Sequence, residues 1–274
     1  MSRDAIFRLL EDAKSFGIGV YNAWTVEPLL RPDLPDILHR AKELGLITSL
    51  ITNGKLLRAR ADELSDLDYL SVSVDGIQSY RELRGMDFDV VRSGIEAALD
   101  CGHQVLMNCV ISSKNLFELE DLVSLAREMG TLVSFEPIHE SSGISGRVWE
   151  ELGIRDLPKF RDAMDGLIDM KKAGYPIINS LTYLRMIKSL KPNFLCHASD
   201  IVLHVSADGT IENCRVHNEP LGNVSDGIQN VWRSSQEKRK TIVKGCKGCL
   251  FFGYVESSLL YDFKPEVVAH YQWM

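Results

Sequence analysis

From residue 1 to about residue 140, stretches with apolar residues on one helical face alternate with short apolar runs, and each helix closes on a glycine able to turn left-handed. Ile6, Leu9, Leu10 and Ala13 form one stripe before Gly17, and 18–24 reads as the strand that follows. Pro35 opens a second helix, striped by Ile37, Leu38, Ala41 and Leu44 and closed by Gly45; 48–52 is its strand. A third strand is expected at 69–74. Phe88, Val91, Ile95 and Ala98 stripe a helix ending at Gly102, before a fourth strand at 104–111. Asn115 is expected to cap a helix carrying Leu119, Leu122, Val123 and Ala126, closed by Gly130 and followed by a strand at 132–138.

Strands joined by helical crossovers lie parallel, with helices on one or both faces of the sheet. The class is therefore α/β, as a doubly wound sheet or an open (β/α) barrel. Both bind ligands at the carboxyl ends of their strands. Those ends are polar here: Trp24-Thr25-Val26-Glu27-Pro28, Thr52-Asn53-Gly54, Ser73-Val74-Asp75-Gly76, Asn108 to Ser112, and Phe135-Glu136-Pro137. Turn chemistry alone accounts for Asn53-Gly54 and Asp75-Gly76. Trp24, Trp149, Phe135 and Tyr183 read as core residues before pocket residues.

The 274 residues are 45% hydrophobic and 25% charged, enough for a core of ordinary size. With 31 Lys and Arg against 38 Asp and Glu, the net charge is -7, the wrong sign for a nucleic-acid footprint. No apolar run approaches a membrane span, and residues 1–16 are amphipathic and charged, unlike a signal peptide. A cytoplasmic location is the expectation.

Beyond a Ser/Gly-rich loop at 141–146 and a helix at about 156–172, the pattern changes. Alternating runs at 202–206 and 211–215 flank the turn signal Ala207-Asp208-Gly209-Thr210, a hairpin with Cys196 before it and Cys214 on its second strand. Cys246-Lys247-Gly248-Cys249 then forms a C-x2-C knuckle. Four such thiolates suit either tetrahedral zinc or an iron-sulfur cluster. A dithiol redox role would need a thioredoxin-like unit, which nothing here supplies. Cys101 and Cys109 read as small buried hydrophobes, and the seven histidines show no metal-ligand spacing.

Together these residues resemble the radical S-adenosylmethionine (SAM) superfamily with a C-terminal twitch or SPASM-type extension. Glu27-Pro28-Leu29-Leu30-Arg31-Pro32-Asp33-Leu34 resembles the family's GGEPLLRPDL, and Thr52-Asn53-Gly54 its TNG turn. Ser73-Val74-Asp75-Gly76 and Arg84-Gly85 match later elements. Cys196 to Cys214 reads as C-x12-G-x4-C with Gly209 as the glycine, and Leu221-Gly222-Asn223-Val224 and Trp232 precede the knuckle. The resemblance implies a partial (β/α)6 TIM-like barrel over 1–145 missing its first strand, linking helices over 146–192, and a twitch/SPASM-like β-hairpin plus helix domain over 193–274.

It also implies SAM near Glu27 and Pro28, its ribose near Ser73 and Asp75, and Asn108 and Glu136 lining the same cavity. One auxiliary 4Fe-4S cluster falls to Cys196, Cys214, Cys246 and Cys249. The implied activity is radical modification of a peptide, cofactor precursor or small molecule, with a reductant protein as partner. Two features depart from the family. The C-x3-C-x2-C loop that holds the SAM cluster is absent, the first cysteine being Cys101, and Thr25-Val26 replaces two glycines. These favour an N-terminally incomplete form over a degenerate homologue. The rivals are a non-catalytic iron-sulfur or electron-transfer homologue and a zinc-stabilised binding module.

Overall fold

The structure, a computed structural model, describes residues 1–24, 26–139 and 146–268. Thr25 and most of the loop expected at 141–146 lie outside the described residues. Helix α1 (Arg3–Phe16) begins at Ser2, whose hydroxyl accepts from the Ala5 N–H, and stops at Gly17 with φ 103°. There follow β1 (Val20–Ala23), α2 (Leu34–Glu43), β2 (Ile47–Thr52), α3 (Leu57–Arg60), β3 (Tyr69–Ser73), α4 (Tyr80–Arg84), α5 (Phe88–Asp100), β4 (Val105–Ile111), α6 (Leu119–Met129) and β5 (Leu132–Pro137).

The five strands are all parallel and hydrogen-bonded in sequence order, β1-β2-β3-β4-β5. A doubly wound sheet reverses its order at a switch point. None occurs here, so the strands form the wall of an open barrel. Alternation puts Leu50, Leu70, Val72, Met107, Val133 and Phe135, all fully buried, against the covering helices. Ser71, Ser73, Asn108 and Glu136 alternate with them and are only partly covered, on the opposite, concave face.

After α7 (Gly146–Leu152) and α8 (Leu157–Lys172), the chain runs along β5 before α9 (Leu181–Ser189). Val133 donates to the Pro176 carbonyl and accepts from the Ile178 N–H, while the Asn179 side chain pairs with both backbone groups of Phe135. A short segment thus covers the edge of β5, which would otherwise offer unpaired backbone groups.

The C-terminal part holds α10 (Ala198–Ile201), β6 (His204–Val205), β7 (Thr210–Glu212), β8 (Pro220–Asn223), α11 (Ile228–Ser234), α12 (Gln236–Gly245), α13 (Phe252–Tyr261) and α14 (Pro265–Val268). The expected hairpin is a three-stranded antiparallel sheet, β6-β7-β8. Its third strand escaped the sequence reading because Pro220 to Asn223 carries no alternating apolar pattern. Cys214 lies just beyond β7 instead of on it, since pairing with β8 is irregular at Ile211 and Glu212 and the chain then turns.

Several contacts tie this part to the barrel. Ala13 of α1 packs with Ile211, Ile228 and Val231, and the Asp12 carboxylate accepts from the Ile228 N–H at 2.7 Å. Helix α13 returns Val255 and Leu259 to the main core. Among the described residues, no helix is long and apolar enough to cross a membrane.

Candidate active site and metal centre

Strand register brings four of the expected residues together. Ser73 lies opposite Asn108, Asn108 opposite Ser134, and Val110 opposite Glu136. With side chains alternating, Ser73, Asn108 and Ser134 form one row on the concave face and Glu136 stands in the next. The Ser134 hydroxyl donates to Asn108 Oδ1 at 2.8 Å. Just past β3, Asp75 accepts from Arg84 Nε at 2.6 Å and from the Val110 N–H at 2.8 Å. Its carboxylate therefore bridges β3, β4 and α4.

Asn115 does not cap α6. Fully buried, it donates to the carbonyls of Asp75 and Val110 and accepts from the Ser112 N–H, clamping the ends of β3 and β4. Helix α6 starts later, and the buried Glu118 before it accepts from the N–H groups of Ile77, Gln78 and Ser79 and from the Ser79 hydroxyl. A Cβ at Gly76 would overlap Ser79 Oγ and the Glu118 carboxylate, so this turn requires glycine.

Glu27 is buried and already engaged. Oε1 accepts from the Leu29 N–H and the Thr52 hydroxyl, and Oε2 from the Asn53 N–H at 2.8 Å. It fastens the loop after β1 to the end of β2, with Pro28 buried behind it. Among the described residues, no hydrogen bond joins Glu27 to the group around Asp75.

Glu136 sits at the end of β5, where Oε2 accepts from the Phe252 N–H at 3.0 Å. Burial pushes its carboxyl up to about 7, against the stabilising N–H and helped by the nearby charge of Asp75. Close by, His139 stacks on Phe251 and is held down to about 4 by burial. Sequence reading missed His139, whose spacing signals nothing. It also missed the clamps Asn115 and Glu118, because their partners lie about 40 residues away.

Cys196, Cys214 and the knuckle pair Cys246 and Cys249 come from three separate segments yet line one cavity, together with Asn213 and Tyr254. All four are free thiols. Burial pushes Cys249 up to about 12, and the other three sulfurs add to the shift while the Phe251 N–H opposes it. Cys196 is raised by burial too. The Gly248 N–H donates to Cys246 Sγ at 3.3 Å, and Gly248 is left-handed, with φ 85° and no room for a Cβ against Pro192. Among the described residues, no three of His, Cys, Asp and Glu converge tightly enough for a single metal ion. Cys109 is buried as expected, but Cys101 is exposed, because it follows α5 at the surface end of the helix.

Residues 1–126 match the model of the radical SAM superfamily. Two curated relatives narrow the comparison. A probable GTP 3',8-cyclase of Methanococcus aeolicus is 32% identical over 152 residues, 51% of this chain and 51% of that protein. One from Saccharolobus islandicus strain M.14.25 is 25% identical over 241 residues, covering 82% of this chain and 77% of that one. The chain thus spans about half the length of the first relative.

Among solved structures, Streptococcus suis SuiB bound to S-adenosylmethionine is similar with TM-score 0.66 and 17% identity, over 84% of this chain and 58% of that one. anSMEcpe with bound AdoMet and the Kp18Cys peptide has TM-score 0.66 and 16% identity, over 98% of this chain and 90% of that one. At such identities the likeness is one of fold, and it agrees with the open barrel.

Proposed function

We propose that this chain is a radical SAM enzyme, or the greater part of one, that binds SAM across the mouth of its barrel and holds an auxiliary 4Fe-4S cluster on Cys196, Cys214, Cys246 and Cys249. The gathering of these four cysteines around one cavity carries the reading. A tetrahedral zinc ion requires four sulfurs within about 2.3 Å of one point. Four cysteines around one cavity suit either centre, and the match of residues 1–126 to an iron-sulfur superfamily favours the cluster. Their mutual repulsion as thiolates is relieved by a cationic centre, and the N–H donor to Cys246 is of the kind that tunes such sulfurs. Ligation by four cysteines leaves no iron open, which favours electron relay over substrate binding.

Residues 1–145 are read as the barrel domain, 146–192 as the linking helices and 193–274 as the twitch-type domain. At the mouth, Glu27 and Pro28 shape the loop for the methionyl end of SAM, while Ser73, Asp75, Asn108 and Glu136 offer hydrogen-bonding groups toward its ribose and the substrate. The substrate is a peptide or small molecule; relatives named as GTP cyclases and neighbours bound to peptides bracket that range. A C-x3-C-x2-C motif is not among these 274 residues, so no cleavage of SAM is derived from them. A bound auxiliary cluster would supply one-electron redox capacity beside the mouth.

The test is anaerobic reconstitution with iron and sulfide, followed by metal and acid-labile sulfide analysis and SAM titration by calorimetry. About four irons per chain with SAM binding supports the reading; stoichiometric zinc without sulfide, or no SAM binding, overturns it. Cluster assembly without SAM binding identifies instead a non-catalytic iron-sulfur homologue.

A further inference from the structure

From the hydrogen bonds around the four cysteines, we infer that Asn213 is a positioning residue of the metal centre, its carboxamide N–H donating to the Cys214 thiolate. The inference rests on the iron-sulfur reading above. Asn213 immediately precedes Cys214 and lines the same cavity as the four thiols. It is 3% exposed, yet Oδ1 has no hydrogen-bond partner among the described residues. Arg31, His139, Arg239 and Glu256 also carry a buried, unpartnered atom, but none of them lines this cavity.

The other three thiols are each met by a backbone donor. The Gly248 N–H donates to Cys246 Sγ at 3.3 Å, the Ala198 N–H to Cys196 and the Phe251 N–H to Cys249. Cys214 is buried and has no such donor among the described residues. Its neighbour Tyr254 does not supply one. That hydroxyl is already engaged, accepting from the Arg215 N–H at 3.1 Å and pairing with His204 Nε2 at 2.6 Å.

A turn residue is the plain alternative, because asparagine side chains in turns bond the backbone two residues on. The chain does turn here, with the Asn218 N–H donating to the Cys214 carbonyl. Asn213 joins that turn only through its own N–H, which donates to the Glu219 carbonyl at 3.0 Å. Its side chain takes no part, so the turn leaves a buried amide unexplained, and buried amides are rarely left unmatched. Metal ligation supplies the match. Bound sulfurs are thiolates, which only accept, and a half-turn of the planar amide presents Nδ2–H where Oδ1 stands. One bond then satisfies both the orphaned amide and the thiolate that lacks a donor. Hydrogen bonds to cluster sulfurs offset negative charge, which favours the reduced state and raises the potential.

The experiment uses the full reconstituted chain in a redox titration. Asn213→Leu keeps the bulk of the side chain without its donor. It should shift the oxidised-to-reduced ratio at fixed potential about tenfold toward oxidised, about 60 mV downward for one electron. Iron and sulfide content should match the parent. A second measurement needs no variant: with heavy nitrogen in the asparagine amides, pulsed electron paramagnetic resonance of the reduced parent should show coupling to one amide nitrogen and an exchangeable proton. Asn213 is the one asparagine lining the cavity among the described residues. An unmoved potential in the leucine variant, or no such coupling in the parent, overturns the inference while full iron and sulfide leave the cluster reading standing. A chain that takes up zinc without sulfide sinks the cluster reading at the metal assay. The donor is then decided on the cobalt-substituted chain, where Asn213→Leu should move the thiolate-to-cobalt absorption band to lower energy and an unmoved band overturns it. A chain that holds neither metal overturns both.

Discussion

The Phe252 N–H donates to the Glu136 carboxylate across 3.0 Å, joining the end of β5 to the start of α13 just past Cys249. One side chain thereby links the barrel mouth to the helix that follows the cysteine knuckle. With its carboxyl near 7, Glu136 gains its negative charge as the pH rises through neutrality. Binding of the cationic sulfonium of SAM should strengthen from about pH 6 to about pH 8 in the parent and stay flat in Glu136→Gln. Calorimetric titration over that range checks it, and equal slopes in the two proteins refute it.

Glu256 is fully buried on α13; Oε1 accepts from the Ser180 N–H at 2.7 Å, while Oε2 has no hydrogen-bond partner among the described residues. Burial pushes its carboxyl from 4.5 up to about 7. Between those values the folded state holds a proton that the unfolded state releases, so this contribution to stability is present below 4.5 and lost as the pH rises through about 7. His139, held near 4, acts with the opposite sign between there and its ordinary 6.5. The informative quantity is therefore the difference between parent and Glu256→Gln in urea midpoint. The variant should gain on the parent as pH rises from 5 to 8.

Much of the barrel was legible because each strand followed a glycine-closed helix and each stripe kept one period. Gly17, Gly45, Gly102 and Gly130 all take positive φ where the sequence required it. The small sheet was harder to read. Its strands run for two to four residues, too short for alternation to register, and β8 is apolar only at Leu221. Convergence of the four cysteines was legible in the knuckle and the hairpin spacing. The pairings of Asn115 and Glu118 were not, since local sequence shows a polar residue's type but not which distant backbone group it reaches.

Single alanine substitutions at Cys196, Cys214, Cys246 and Cys249 should each remove most of the reconstituted iron and sulfide, whereas Cys101→Ala, at an exposed thiol, should retain both. Equal iron in all five variants would dismiss the four-cysteine centre.

Asp75 and Arg84 meet at 2.6 Å, with side chains 10% and 28% exposed. Asp75→Ala strands a largely buried guanidinium and should cost about 3 kcal/mol in urea denaturation. Asp75→Ala/Arg84→Ala should recover part of that loss. An additive double variant would mean that the pair is not coupled.

The fully buried Tyr183 donates its hydroxyl to the Leu250 carbonyl at 2.5 Å, next to Cys249. Tyr183→Phe leaves that carbonyl without its partner, at a cost of about 1–2 kcal/mol. The variant should also release iron faster to a chelator, a readout that loss of general stability alone would not move when compared at matched unfolding midpoints.

The grip of α1 on the small sheet has a consequence for synthesis. Asp12 and its partner Ile228 are 216 positions apart, and Ala13 completes an apolar cluster whose other buried members come from β7 and α11. During translation, Leu10 of α1 finds Ile37 and Ala41 of α2 early, but the side around Ala13 must wait, uncovered, until β7 and α11 are made. Long-range closure of this kind is slow and leaves apolar surface open to misassociation, so maturing this protein requires a clasp between two elements more than 200 positions apart.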